Sequence, residues 1–134
     1  MSLELGNQKD KTTGKNNIIV SKAYDFALGI IEVYKGLKKE KEFVLSKQIL
    51  RSGTSIGANV NESVAAVSKR DFVYKLGISL KEARETTYWL NLLKDSGYID
   101  HRVFHKLNKD CDEIIKILNS IILTTKQKYL TPNS

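Results

Sequence analysis

Three groups of residues have the types and spacing that chemistry requires. Glu82 and Glu85 are three apart, so on a helix they place two carboxylates on one face, the arrangement of a general acid and base. With Arg84 between them and Thr86, Thr87, Tyr88 and Trp89 following, they form the densest polar and aromatic stretch of the chain. Nearby lysines and arginines neutralise such a pair as readily as they activate it, and structural ion pairing is the favoured reading. His101 and His105, four apart, would present two rings to one cation, yet no third ligand stands close in the sequence, and exposed first-turn histidines are the simpler account. The lone cysteine, Cys111, lies on an apolar seam, which describes a buried, unreactive thiol. No glycine-rich phosphate loop and no nucleophile motif is present. Neither an enzyme active site nor a metal or cofactor is therefore expected.

The elements that position these residues are helices. The chain is 134 residues long with one proline, Pro132, so nothing interrupts long helices in its middle. Residues 1–16 are polar and read as a flexible tail. From about residue 17, Ile19, Ala23, Phe26, Ile30, Val33 and Leu37 recur at threes and fours, with Ala27, Ile31 and Tyr34 widening the stripe, which predicts a helix over 17–38. A second helix is expected over 41–66, with acids in its first turn. Ser68 followed by Asp71 resembles a capping box and opens a third over 69–95, carrying Phe72, Leu76, Leu80, Ala83, Thr87 and Leu90 on one face and stopped by Gly97. Phe104, Leu107, Cys111, Ile114, Leu118, Ile121 and Thr125 then form a regular heptad in a fourth over 101–127. Residues 129–134 read as a second tail. Four such helices with short joins predict an all-α, antiparallel up-down-up-down four-helix bundle spanning 17–128.

One stretch argues against its own composition. Ser52, Gly53, Thr54, Ser55, Gly57, Asn59 and Asn61 are turn formers, but Leu45, Ile49, Gly53, Ile56, Val60, Val64 and Val67 keep helical register through them. If the helix is unbroken, Gly53 and Gly57 lose roughly 1 kcal/mol each against alanine, so a neighbour must come close on that face. Helix three, helix four and another subunit are all candidates for that neighbour.

The net charge of +7 favours polyanions by long-range attraction, or simply aids solubility. In the expected bundle, one end gathers Lys35, Lys38, Lys39, Lys41, Lys47, Lys94, Arg102 and Lys106 against Glu40, Glu42, Asp95 and Asp100. Of these Lys35, Lys38, Lys39, Lys41, Lys47, Arg102 and Lys106 are the candidate nucleic-acid-binding residues. The opposite end holds Lys22, Lys69, Arg70, Lys75, Lys126 and Lys128, so the charge is spread over both ends and not drawn into one stripe with interleaved aromatics. No run approaches the roughly 18 apolar residues of a membrane span. With a polar start and a single cysteine, the chain is expected to be cytoplasmic.

The segments Gln48 to Ala58 (QILRSGTSIGA), Asn59 to Ser63, Ser68 to Phe72 and Leu80 to Leu90 together resemble the bacterial four-helix-bundle family that includes proteins encoded in intervening sequences of 23S ribosomal RNA genes. They are also similar to the accessory variability determinant of diversity-generating retroelements. The resemblance covers about residues 17 to 125. It implies a four-helix bundle, assembly as a homopentamer, and, by the retroelement branch, binding of a reverse transcriptase and of RNA or DNA through basic surfaces. It supplies no catalytic set. A structural or protein-binding oligomer is the alternative, and an apolar outer face built from Tyr24, Tyr34, Tyr74, Tyr88 or Trp89 would favour it.

Overall fold

The computed structural model describes residues 11–131, so most of the first expected tail and half of the second lie outside the described residues. Four helices follow one another: α1 (Lys11–Lys39), α2 (Leu45–Val64), α3 (Lys69–Asp95) and α4 (His101–Tyr129), with no strand among the described residues. Among the described residues each packs only against its two neighbours around a ring: α1 on α2, α2 on α3, α3 on α4 and α4 back on α1. Cross-helix contacts give the directions. Ile30 meets Gly53 and Ala23 meets Gly57; Ser52 bonds Thr86 while Ile56 bonds Ser79; Thr87 touches Cys111 while Lys94 covers Phe104; Lys22 pairs with Glu113 while Gly29 faces Leu107. In every pair one number rises as the other falls, so neighbouring helices run antiparallel.

The seams of α1 and α4 are buried at all the expected positions, from Ile19 to Leu37 and from Phe104 to Thr125. The helix ends differ from expectation. α1 begins at Lys11, six residues before the expected start at 17: apolar periodicity marks the packed turns, and no proline in 11–16 stops the helix from continuing past them. α2 runs over 45–64, not 41–66. Lys41 takes a left-handed conformation, φ 62°, and with Glu42 N–H bonded to Leu37 O at 2.9 Å and Lys41 N–H to Lys38 O at 2.9 Å it closes α1 in a Schellman motif. The acids expected in the first turn of α2 precede it. Glu42 acts from outside, accepting the Ser46 N–H at 2.8 Å and the Val44 N–H at 3.3 Å in place of a side-chain cap at Val44. At the far end Val67, which kept the helical phase in sequence, is 93% exposed beyond the last turn.

α3 starts as its capping pattern predicts, with the Ser68 hydroxyl accepting the Asp71 N–H at 3.0 Å, although the Asp71 carboxylate reaches the Val67 N–H and not that of Ser68. Its stop is a second Schellman motif, with Gly97 at φ 81° and Tyr98 N–H bonded to Leu93 O at 2.8 Å. α4 is capped by Asp100, which accepts the Val103 N–H at 2.8 Å. It extends to Tyr129, two residues past the expected end, where the Lys69 ammonium lies 4.5 Å from the Tyr129 ring and ties the last turn to the start of α3.

Candidate nucleic-acid interface

The glycine-rich stretch is continuous helix because its polar side chains turn back on their own backbone. Thr54 donates to Leu50 O at 2.7 Å, Ser55 to Arg51 O at 2.6 Å, Asn59 to Ser55 O at 2.9 Å, Asn61 to Gly57 O at 3.1 Å and Ser63 to Val60 O at 2.6 Å. Groups that elsewhere compete with the helix here add a second bond to its carbonyls. The inner side of α2 faces two partners. Gly53 and Gly57 receive α1, a neighbour absent from the expected candidates, and Ser52 meets Thr86 of α3, their hydroxyl oxygens 2.9 Å apart. With Ser79 donating to Ile56 O at 2.9 Å, a buried polar line joins α2 to α3. Ser79 and Thr86 were not expected in the core; the spacing Leu76, Ser79, Ala83, Thr86, Leu90, Leu93 held the signal, masked by two hydroxyls.

Glu82 and Glu85, for which structural ion pairing is the expectation favoured over acid–base work, are bound by one guanidinium. Arg51 reaches Glu82 at 3.2 Å through one nitrogen and Glu85 through the other, and the Trp89 indole N–H donates to Glu85 at 3.0 Å. Tyr88 packs edge-on against Trp89, with centroids 5.1 Å apart. This arrangement clamps α2 to α3. His101 and His105 are exposed, and among the described residues no group of three or more His, Cys, Asp or Glu side chains is arranged to hold a metal ion. Cys111 is fully buried. Burial pushes its thiol up to about 11, opposed by the Thr87 hydroxyl, and its Sγ donates to Ala83 O at 3.3 Å.

The seven basic candidates lie at the end where α1 stops and α4 starts. Lys38 and Lys39 end α1, Lys41 is the left-handed turn residue, and Lys47 lies in the first turn of α2. Arg102 and Lys106 rise from α4 along a groove of about 840 Å³ shared with Val33, Gly36 and Leu37 of α1. Most acids of this end are engaged. Glu42 and Asp100 hold helix N-termini, Glu32 pairs with Lys35 at 3.4 Å, Asp95 with Lys94 at 3.5 Å, and Asp110 with Lys106 at 2.5 Å, which raises the Lys106 pKa through that hydrogen bond and its charge. Lys38 lies 5.4 Å above the Tyr34 ring. Among the described residues, Lys38, Lys39, Lys41, Lys47 and Arg102 have no carboxylate at ion-pair distance. Of the seven candidates, five thus keep an uncommitted charge. Of the aromatic candidates for an outer face, Tyr24, Tyr74 and Tyr88 are exposed, whereas Tyr34 and Trp89 are half-buried.

Residues 15–120 match the family model of the 23S rRNA-intervening sequence protein. The chain belongs to that family. The matched region holds the glycine face of α2, the Arg51 clamp, the seams of α1, α2 and α3, and that of α4 as far as Leu118. A solved structure, described as a protein with unknown function from the S23 ribosomal protein family of Bacteroides thetaiotaomicron, is similar at 52% identity with a TM-score of 0.79; the match covers 81% of this chain and 98% of that one. No curated protein matches the chain. Among the described residues, no helix is long and apolar enough to cross a membrane.

Proposed function

We propose that this family member is a non-catalytic, homo-oligomeric bundle that binds RNA or DNA through its basic surface, as an accessory to a larger assembly. The observation that carries this is the set of uncommitted cations at one end: Lys38, Lys39, Lys41, Lys47 and Arg102 have no acidic partner while most acids around them cap helices or pair elsewhere. Counterion release by such a surface makes affinity fall steeply with salt. The sequence resemblance to accessory proteins of retroelements supports a homopentamer and a protein partner such as a reverse transcriptase.

Fluorescence anisotropy of labelled RNA and DNA against the folded protein over a salt series tests the binding. Log affinity is expected to fall linearly with log salt, and replacing Lys39 and Arg102 with glutamate is expected to weaken binding and flatten that slope. A folded protein that binds neither nucleic acid at low salt would refute the proposal. Light scattering on the same sample tests the pentamer.

A further inference from the structure

The solvent face of α3 carries a feature that the two charged ends do not. Arg70, Tyr74, Gly77, Lys81, Arg84 and Tyr88 recur at steps of four and three, and all six are exposed. They form a single line of roughly 27 Å along the helix, with cations and tyrosines interleaved. This is a stripe of cations with interleaved aromatics, contrary to the expectation from charge sorted by bundle end, because it runs along one helix face. Among the described residues, Arg70, Lys81 and Arg84 have no carboxylate at ion-pair distance. The carboxylates beside the row are engaged by other partners: Glu82 and Glu85 are held by Arg51, Asp71 bonds the Val67 N–H, and Glu62 pairs with Lys75. Tyr74 and Tyr88 are 63% and 57% exposed, and the Tyr88 and Trp89 rings meet in a T-shaped contact. Gly77 lies between Tyr74 and Lys81 with open space where a Cβ would be.

We infer that this row is a single-stranded nucleic-acid site, in which Tyr74 and Tyr88 stack on bases and Arg70, Lys81 and Arg84 contact phosphates. Alternating rings and cations match a strand whose bases are unpaired; a duplex presents phosphates to the cations but keeps its base faces stacked inside. The inference rests on the proposed nucleic-acid binding and adds to it the strand form and the residues.

The test uses the full chain with short oligouridylate, oligothymidylate and a duplex of equal length. Tyr74→Ala and Tyr88→Ala are each expected to weaken both single strands by about tenfold and to leave duplex binding unchanged, while Tyr88→Phe retains affinity. The uridylate and thymidylate arms separate RNA from DNA. Circular dichroism and light scattering confirm fold and assembly in each variant. Unchanged affinity in both alanine variants, equal losses on duplex and single strand, or a loss that follows a change in subunit number overturns the inference. If Lys39→Glu with Arg102→Glu abolishes binding while the alanine variants bind normally, the row is wrong and the basic end stands. If the unaltered protein binds neither single strand nor duplex, both readings fall.

Discussion

A methyl group built on Gly53 would lie 2.8 Å from both Cγ1 and Cγ2 of Ile30, whereas one built on Gly57 would rest 3.5 Å from the Ala23 carbonyl, an ordinary contact. Ile30 is fully buried and branched at the point of collision, so it has little room to move. Gly53→Ala is therefore expected to lose about 1–3 kcal/mol to overpacking, less the roughly 1 kcal/mol that alanine gains in a helix. Gly57→Ala is expected to be neutral or slightly stabilising, and Gly57→Leu destabilising by more than 1 kcal/mol as its branch meets the α1 backbone. Urea melts of the three variants give the order. The periodicity of α2 identified both glycines, but it could not rank them, because the difference lies in which α1 side chain sits opposite. A second residue-scale expectation concerns Cys111. Its folded pKa of about 11 lies above the reference of 9.0, so it contributes stability below pH 9 that is lost as pH rises through 11, up to about 3 kcal/mol. Native protein should resist a thiol reagent at pH 8 and react after addition of urea, and Cys111→Ala should show a shallower loss of stability between pH 9 and 11; fast native labelling would contradict this.

At the scale of elements, legibility followed chemistry. The seams of α1 and α4 are apolar up to the closing Thr125 and could be read to the residue. The α3 seam was read in part, because Ser79 and Thr86 find hydrogen-bond partners inside, the Ile56 carbonyl for Ser79 and the Ser52 hydroxyl together with the Glu82 carbonyl for Thr86, and the cross-helix partners on α2 are revealed by no local pattern. Helix ends divide the same way. Gly97, Ser68 and Asp100 announce theirs, but α1 stops on a lysine, and α2 starts without a capping side chain of its own. Glu42 stands in for that cap from the preceding link, so Glu42→Ala is expected to lower stability by about 1 kcal/mol, with Glu42→Gln recovering much of it, since an amide oxygen still accepts the Ser46 N–H. A thermal melt of Glu42→Ala equal to that of the unaltered protein would mean that water satisfies the start of α2 as well as Glu42 does.

For the whole molecule, the placement of charge is informative where it works against the fold. Lys47 lies in the first turn of α2, where the helix dipole disfavours a cation by roughly 0.3–1 kcal/mol, and no acid accompanies it in that turn. Lys41 occupies a left-handed position that disfavours a side chain by roughly 1–2 kcal/mol and that the equivalent stop on α3 gives to glycine. Folding alone would remove both lysines, yet they stand at the same end as Lys38, Lys39 and Arg102. If they are kept for a polyanion, stability and binding must respond with opposite signs. Lys47→Gln and Lys41→Gly are each expected to raise the urea midpoint, by a few tenths to about 1 kcal/mol, while weakening RNA or DNA affinity and reducing the salt slope by about one phosphate contact apiece. Variants that are more stable and bind equally well would show that these charges serve neither the fold nor the interface, and the uncommitted cations of this end would lose their claim to a nucleic-acid surface.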